Sequence, residues 1–282
     1  MGFIDKVRDG ADLANKPLKP FLKWAGGKRW FVANHSDLIP TNFNCYIEPF
    51  LGSGAVFFYL RPNRALLGDS NAQLIETYQA IKDNWGLVWK YLREHHRNHS
   101  CDYYYQARNS ERHSSASRAA RFIYLNRTCW NGLYRVNRKG VFNVPKGTKS
   151  SVVFKDDCFD QISDALQGAE LFACDFEDLI DSAQRGDLVF VDPPYTVRHN
   201  HNAFIKYNEK LFSWLDQERL FYALKRAQTR GAYIVGTNAY HKCVRDLYEQ
   251  TFGSLAVSRN SCISSKTDSR KKFEELVMLI CV

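Results

Sequence analysis

The chain has 282 residues, 45% of them hydrophobic and 14% aromatic, and a formal net charge of +9. That length and apolar content suit one large domain or two modest ones, and the charge favours an acidic partner such as nucleic acid or an anionic surface. The longest apolar runs, such as 276–282, reach about seven residues, too short to span a bilayer.

The first residues, MGFIDKVRDGADL, lack the apolar stretch of a signal peptide, so a cytoplasmic protein is expected. The eight cysteines form no CxxC and join no His at zinc spacing. Reduced thiols and no metal site are expected.

Residues 20–28, PFLKWAGGK, form the first glycine turn. Its GGK resembles the tail of a phosphate loop, but Leu22 and Arg29 break the GxxxxGK[ST] spacing, which argues against ATP hydrolysis. Lys28 could hold a carboxylate, and Trp24 could stack on a flat or cationic group. Residues 46–50 then read as a strand, 51–54 as a tight loop, 55–60 as a helix and 65–68 as a second strand ending at Asp69. Strand, glycine loop, helix and strand make half of a doubly wound fold. The glycines of EPFLGSG, Gly52 and Gly54, let the backbone approach a ligand closely. Asp69 lies where a carboxylate can accept hydrogen bonds from ribose hydroxyls. The motif is not GxGxxG, so an adenosine-containing cofactor other than a dinucleotide fits best.

Helical spacing follows over 74–92, with Gly86 as the expected break, and again over 117–125. Residues 133–144 alternate around Asn137-Arg138-Lys139-Gly140 and predict a hairpin. From Arg112 to Lys155 there are ten Lys or Arg and no Asp or Glu. This one segment therefore holds essentially all of the net charge. Phe122, Tyr124, Trp130, Tyr134 and Phe142 are interleaved with it, a pattern expected of nucleic-acid contact. Strand-like segments return at 170–174, 188–191, 233–236 and 275–282, with a helix over 214–230 capped by Ser213 and Asp216. Asp175-Phe176 ends one of these strands and could grip an adenine by hydrogen bond and ring face.

The apolar run 188–191 ends in Asp192-Pro193-Pro194-Tyr195. The prolines stop the strand and fix the backbone beyond it. A carboxylate, a proline carbonyl and an aromatic ring then stand together at the carboxyl edge of a sheet, where open α/β folds bind ligands. Two acceptors beside a flat face suit the exocyclic amine of a nucleobase. Hydrogen bonds to both N–H groups would free the nitrogen lone pair for methyl transfer. A base must leave the duplex to reach such a pocket.

These four features, FLKWAGGK, EPFLGSG, the basic insertion and DPPY, resemble in order and spacing the Dam-type DNA adenine-N6 methyltransferases. The resemblance runs from about Pro20 to the C-terminus and takes in the late segment around Ile263, Ser269 and Glu275. It implies a Rossmann-like α/β methyltransferase sheet with helices on both faces, formed by residues 1–70 and 160–282. An inserted, mostly helical target-recognition domain with a β-hairpin would occupy 71–159.

The implied cofactor is S-adenosylmethionine. Trp24 and Lys28 would hold its methionine part, Phe50, Gly52 and Gly54 its pocket, Asp69 the ribose, and Asp175 with Phe176 the adenine. Asp192 would lie between cofactor and target, with Pro193, Pro194 and Tyr195 completing the catalytic tetrad. In the insertion, Arg135 would read guanine from the major groove. Leu133 and Pro145 would touch a thymine methyl, Trp130 would stack near the extruded base, and Asn131 and Asn137 belong to the same DNA-binding segment. Arg127, Arg138, Lys139, Lys146 and Lys149 would bind phosphates, which position without specifying. The chain departs from close family members at Thr148, where a bulky or basic residue is usual.

The implied partner is double-stranded DNA, with no membrane, a monomer as the family default, and GATC as the favoured site. A longer related site in a restriction-modification system, or a catalytically silent DNA-binding relative, are the alternatives.

Overall fold

The computed structural model describes residues 17–137, 140–196, 212–260 and 272–280. The expectations for Arg138, Lys139, the N-terminal residues, and Ile263 and Ser269 lie outside them. The chain divides into two compact units.

One unit comprises residues 25–52, 62–79 and 168–282. It contains a seven-stranded sheet of order β3-β2-β1-β4-β5-β7-β6. The strands are β1 (Tyr46–Glu48), β2 (Ala65–Gly68), β3 (Ala169–Phe172), β4 (Leu188–Val191), β5 (Tyr233–Ala239), β6 (Gly253–Asn260) and β7 (Lys272–Ile280). Strands β1 to β5 pair in parallel, and β7 joins β5 and β6 antiparallel. All residues of β1 and β4 are buried, which explains why β4 reads as an unbroken apolar run rather than an alternating one; in β1 the buried Glu48 accepts from the Tyr46 hydroxyl at 3.0 Å.

Chain order reverses between β1 and β4. That reversal makes their carboxyl ends the expected crevice of a doubly wound sheet. Helices α7 (Phe176–Asp181), α8 (Trp214–Thr229) and α9 (Lys242–Tyr248) belong to this unit. Leu220 and Leu224 of α8 are buried with Val189, Val191 and Ile234 of the sheet. Each fully buried aliphatic side chain of this kind contributes ~1.5–3 kcal/mol. Ser213 caps α8 with a complete capping box, its hydroxyl accepting from the Asp216 N–H while Asp216 accepts from the Ser213 N–H. Helix α1 (Arg29–Asn34) also lies in this unit.

The other unit comprises residues 1–24, 53–61 and 80–167. It is mostly helical, with α2 (Ala55–Leu60), the later part of α3 (Ala72–Asn98), α4 (Cys101–Asn109), α5 (Ser115–Thr128) and α6 (Phe159–Leu166). Helix α3 is interrupted at Asn84, with φ −157° and ψ 74°, and not at Gly86. The Asn84 carboxamide accepts from the Leu87 N–H, so it caps the second segment. A side-chain cap competes with the helix backbone more effectively here than glycine flexibility does.

The hairpin expected over 133–144 is a loose one. It has an isolated bridge between Val136 and Phe142 and a turn closed by Gly140 N–H to Asn137 O. The Asn137 carboxamide accepts from the Val141 N–H. Beneath it, Tyr134 packs between Trp24 at 5.6 Å and Phe142 at 5.7 Å, with Phe122 at 5.1 Å. No helix of the described residues is long and apolar enough to cross a membrane.

Candidate active site

Asp192 follows the last residue of β4. In the parallel register Val191 lies opposite Gly236, which puts Thr237 of β5 beside Asp192. The Thr237 hydroxyl donates to Asp192 Oδ1 at 2.8 Å. Lys28 Nζ lies 2.7 Å from the same oxygen. That ammonium also donates to Gly26 O at 2.8 Å and stands 3.7 Å from Glu275 Oε2. Glu275 lies on β7, opposite Ala239 of β5. The Tyr195 hydroxyl donates to its Oε2 at 2.5 Å, and the Tyr195 ring lies 5.2 Å from Lys28 Nζ. Five side chains from the α1 start, the β4 end, β5 and β7 thus form one network, with Lys28, Thr237 and Glu275 buried and Asp192 and Tyr195 half-buried.

Lys28 and Glu275 are only 3% and 1% exposed, so their charges are balanced by protein rather than by water. Burial pushes the Asp192 carboxyl above the ordinary carboxylate value. The Lys28 ammonium draws it back, Glu275 opposes that, and the Thr237 hydrogen bond lowers it again. Lys28, expected at a cofactor carboxylate, is instead turned to two carboxylates of the chain itself. Sequence reasoning misses Thr237, which no local motif marks, and gives Glu275 a place in the late segment of the resemblance but no role. The one available signal is a glutamate abutting the apolar run 276–282, where a buried strand has no use for a charge unless it is paired.

At the carboxyl end of β2, Asp69 accepts from the Gly52 N–H at 3.0 Å and the Asn71 N–H at 2.9 Å. Burial raises its carboxyl, and the two backbone donors oppose that rise. Gly52 has φ 48°, a left-handed conformation that glycine adopts without a Cβ penalty. Phe50 stacks on Phe176 at 5.3 Å. Phe176 is itself 7% exposed, packed into the core with the Arg219 guanidinium 4.9 Å from its ring. Asp175 caps α7 through the Glu177 N–H and pairs with Arg219 at 2.8 Å.

The mostly helical unit holds the remaining candidates. Gly54, with φ 64°, precedes α2 as its N-cap. Trp24 stacks on Tyr134 and on Phe122. Lys23, Cys129, Trp130, Asn131, Gly132, Thr148 and Lys149 line an open cleft of about 260 Å³. Lys23 lies in the PFLKWAGGK turn, where sequence reasoning gives roles to Trp24 and Lys28 alone. Its ammonium is held below the ordinary lysine value by burial first and by Lys149 next. Of the aromatic residues interleaved with the basic run, Trp130 alone is exposed, at 53%. Phe122, Tyr124 and Phe142 are core, and Tyr134 is half-buried. Arg135 donates from Nε to Asn143 Oδ1 at 3.2 Å across the hairpin. Leu133 is half-buried and Pro145 exposed, and Pro145 O accepts from the Trp130 N–H. Lys146 bridges to Cys129.

Arg127 requires a correction. Expected on a phosphate, it is 1% exposed. Its guanidinium makes two 2.7 Å hydrogen bonds to Asp157 and others to the carbonyls of Val152 and Phe21. Its donors are spent inside the unit, because the whole stretch 122–128 of α5 is buried.

A five-strand parallel core extended by an antiparallel pair, with an acidic residue at the β2 end and Asp-Pro-Pro-Tyr at the β4 end, defines a Rossmann-like methyltransferase. Residues 24–263 match the family model for D12 class N6 adenine-specific DNA methyltransferases, and the chain belongs to that family. It is 36% identical over 270 residues to the type II methyltransferase M1.LlaDCHI of Lactococcus lactis subsp. cremoris, covering 93% of this chain and 95% of the relative. It is 32% identical over 288 residues to the type II methyltransferase M.MjaIII of Methanocaldococcus jannaschii, covering 93% and 99%. A DNA adenine methylase of Haemophilus influenzae is 32% identical over 271 residues, covering 93% of each chain.

Proposed function

We propose that this chain transfers a methyl group from S-adenosylmethionine to N6 of an adenine extruded from duplex DNA, in the site GATC. The observation that carries the reading is the anchoring of Asp192. Both donors on it, Lys28 and Thr237, reach Oδ1. Oδ2 and the Pro193 carbonyl are then the acceptors offered to an incoming amine. With both N–H groups engaged, the amine nitrogen turns its lone pair out of the ring. Tyr195 offers the ring face on which adenine stacks, and Pro194 keeps the backbone between them rigid.

The donor set fits the cofactor. Asp69 keeps lone pairs beyond its two backbone N–H bonds, which suits ribose hydroxyls. Phe50, Gly52, Gly54, Trp24, Asp175 and Phe176 would complete the contacts. S-adenosylmethionine, when bound, supplies an electrophilic methyl group on a sulfonium. The chain's own part is to orient the amine and exclude water.

Segment 71–159 is proposed as the target-recognition domain, with 1–70 and 160–282 catalytic. The exposed Trp130 beside Lys149, and Arg135 on the hairpin, support a DNA-facing role for the insertion. Trp130 and Asn131 would meet the space left by the flipped base. Arg135 would contact guanine, Leu133 and Pro145 thymine, and Asn137, Arg138, Lys139 and Lys146 the backbone. We propose that it acts as a monomer in the cytoplasm, as part of the DNA-bound fraction. Type II methyltransferases among the relatives keep a longer, restriction-associated site as the second reading. The test is transfer of labelled methyl to duplex oligonucleotides. Incorporation confined to GATC duplexes supports the site. Equal incorporation into duplexes altered at any one of its positions overturns it.

A further inference from the structure

We infer that Glu275 is a positioning residue for methyl transfer, bracing both ends of the catalytic tetrad at once. The inference rests on the reading of Asp192–Tyr195 as the site of transfer. Its single Oε2 receives the Tyr195 hydroxyl at 2.5 Å and faces the Lys28 ammonium at 3.7 Å. Lys28 in turn grips Asp192 Oδ1 at 2.7 Å.

Two consequences follow from that geometry. Tyr195 is fixed at its hydroxyl, far from the backbone that the prolines hold, so the plane of its ring is set at both ends. Lys28 is shared by two carboxylates instead of being locked to one. Without Glu275, the whole ammonium charge would fall on Asp192, and the carboxylate would face an incoming amine already neutralised. Thr237 holds Oδ1 from the opposite strand and keeps the carboxylate plane in place. The placement is not incidental to the sheet. β7 enters antiparallel beside β5, and its register opposite Ala239 brings one carboxylate to the level of the β4 end. A buried charge at the head of the apolar run 276–280 is costly unless its partners are preorganised.

Full-length wild type, E275A, E275Q, Y195F, D192A and the E275A/Y195F double variant are compared on a GATC duplex with labelled S-adenosylmethionine. E275A is expected to lower kcat by roughly 10- to 100-fold, the range for slight misplacement of reacting groups. The KM for DNA should move by no more than about twofold, because the groups proposed to grip the rest of the duplex lie in the insertion and are unchanged. E275Q keeps an acceptor for Tyr195 but loses the charge facing Lys28, so its kcat falls between E275A and wild type. Added to Y195F, E275A costs less than it does alone, since part of its effect runs through the missing hydroxyl.

Wild-type kcat in a folded E275Q overturns the inference, and so does a loss in the double variant equal to the product of the single losses. If E275A fails to fold, the isosteric E275Q decides. D192A separates the two layers. Turnover retained in D192A sinks the reading of the tetrad itself. An inactive D192A with unaffected Glu275 variants sinks only the role of Glu275.

Discussion

Asp157→Ala leaves the Arg127 guanidinium ionised inside the helical unit without its carboxylate. Arg127 loses both 2.7 Å hydrogen bonds to Asp157 and keeps those to the Val152 and Phe21 carbonyls. The Phe154 N–H loses its acceptor as well, since Asp157 Oδ2 receives it at 2.8 Å. Removing one partner of a buried pair costs about 3–5 kcal/mol, most of it the uncompensated charge left behind. For a chain of this size each kcal/mol moves the melting temperature by roughly 2–4 °C, so a fall of about 6–20 °C is expected. Differential scanning fluorimetry reads this directly. The companion measurement is the dependence of DNA affinity on salt. Removing one phosphate-binding cation flattens that slope by about 0.9, and Arg127→Met, measured below its melting point, should leave it unchanged. A fall of under about 2 °C in Asp157→Ala, together with a flatter salt slope in Arg127→Met, would refute the reasoning and return Arg127 to the DNA backbone.

Arg135→Ala should relax discrimination at one base pair by ~1–3 kcal/mol. Equal weakening on all sequences, scored by competition with altered duplexes, would make it a phosphate contact instead. The His95 imidazole donates to or accepts from the Tyr103 hydroxyl at 2.9 Å and lies flat on Tyr124 at 4.6 Å. Burial, and then Arg112 and Arg121, push its pKa down to about 4. The unfolded chain takes up this proton near pH 6.5. Stability from this group is therefore full above about pH 6.5 and is lost progressively as pH falls toward about 4. Melting temperatures of wild type should fall more steeply over that window than those of His95→Gln, and parallel curves would contradict it.

Much of the sheet unit, and α2 of the helical unit, is legible in the sequence because the signals are local. Residues 55–60 and 65–68 form the helix and strand that their spacing predicts, and the Ser213–Asp216 box opens α8 as expected. The β6 strand has only the three apolar residues 255–257 between polar ones, with Leu255 exposed and Val257 buried, so its apolar signal is short. Backbone freedom alone points to Gly86 for the kink of α3, whereas the Asn84 cap decides it. Counting charge locates the basic segment but not which charges face water. Arg127 reads as a surface charge because its partner, Asp157, lies 30 residues away in sequence. The same limit hides the active network. Asp192 and Tyr195 stand in one tetrad, whereas Thr237 and Glu275 reach them only through the pairing of β4, β5 and β7.

The most direct test is sequencing of modified bases in plasmid DNA from a methylation-deficient cell expressing either wild type or Asp192→Ala. Wild type should place N6-methyladenine at GATC, and Asp192→Ala should place none while still binding the duplex. Methyl marks that persist in Asp192→Ala, or that fall on cytosine N4, would contradict a site in which Asp192 orients an adenine amine.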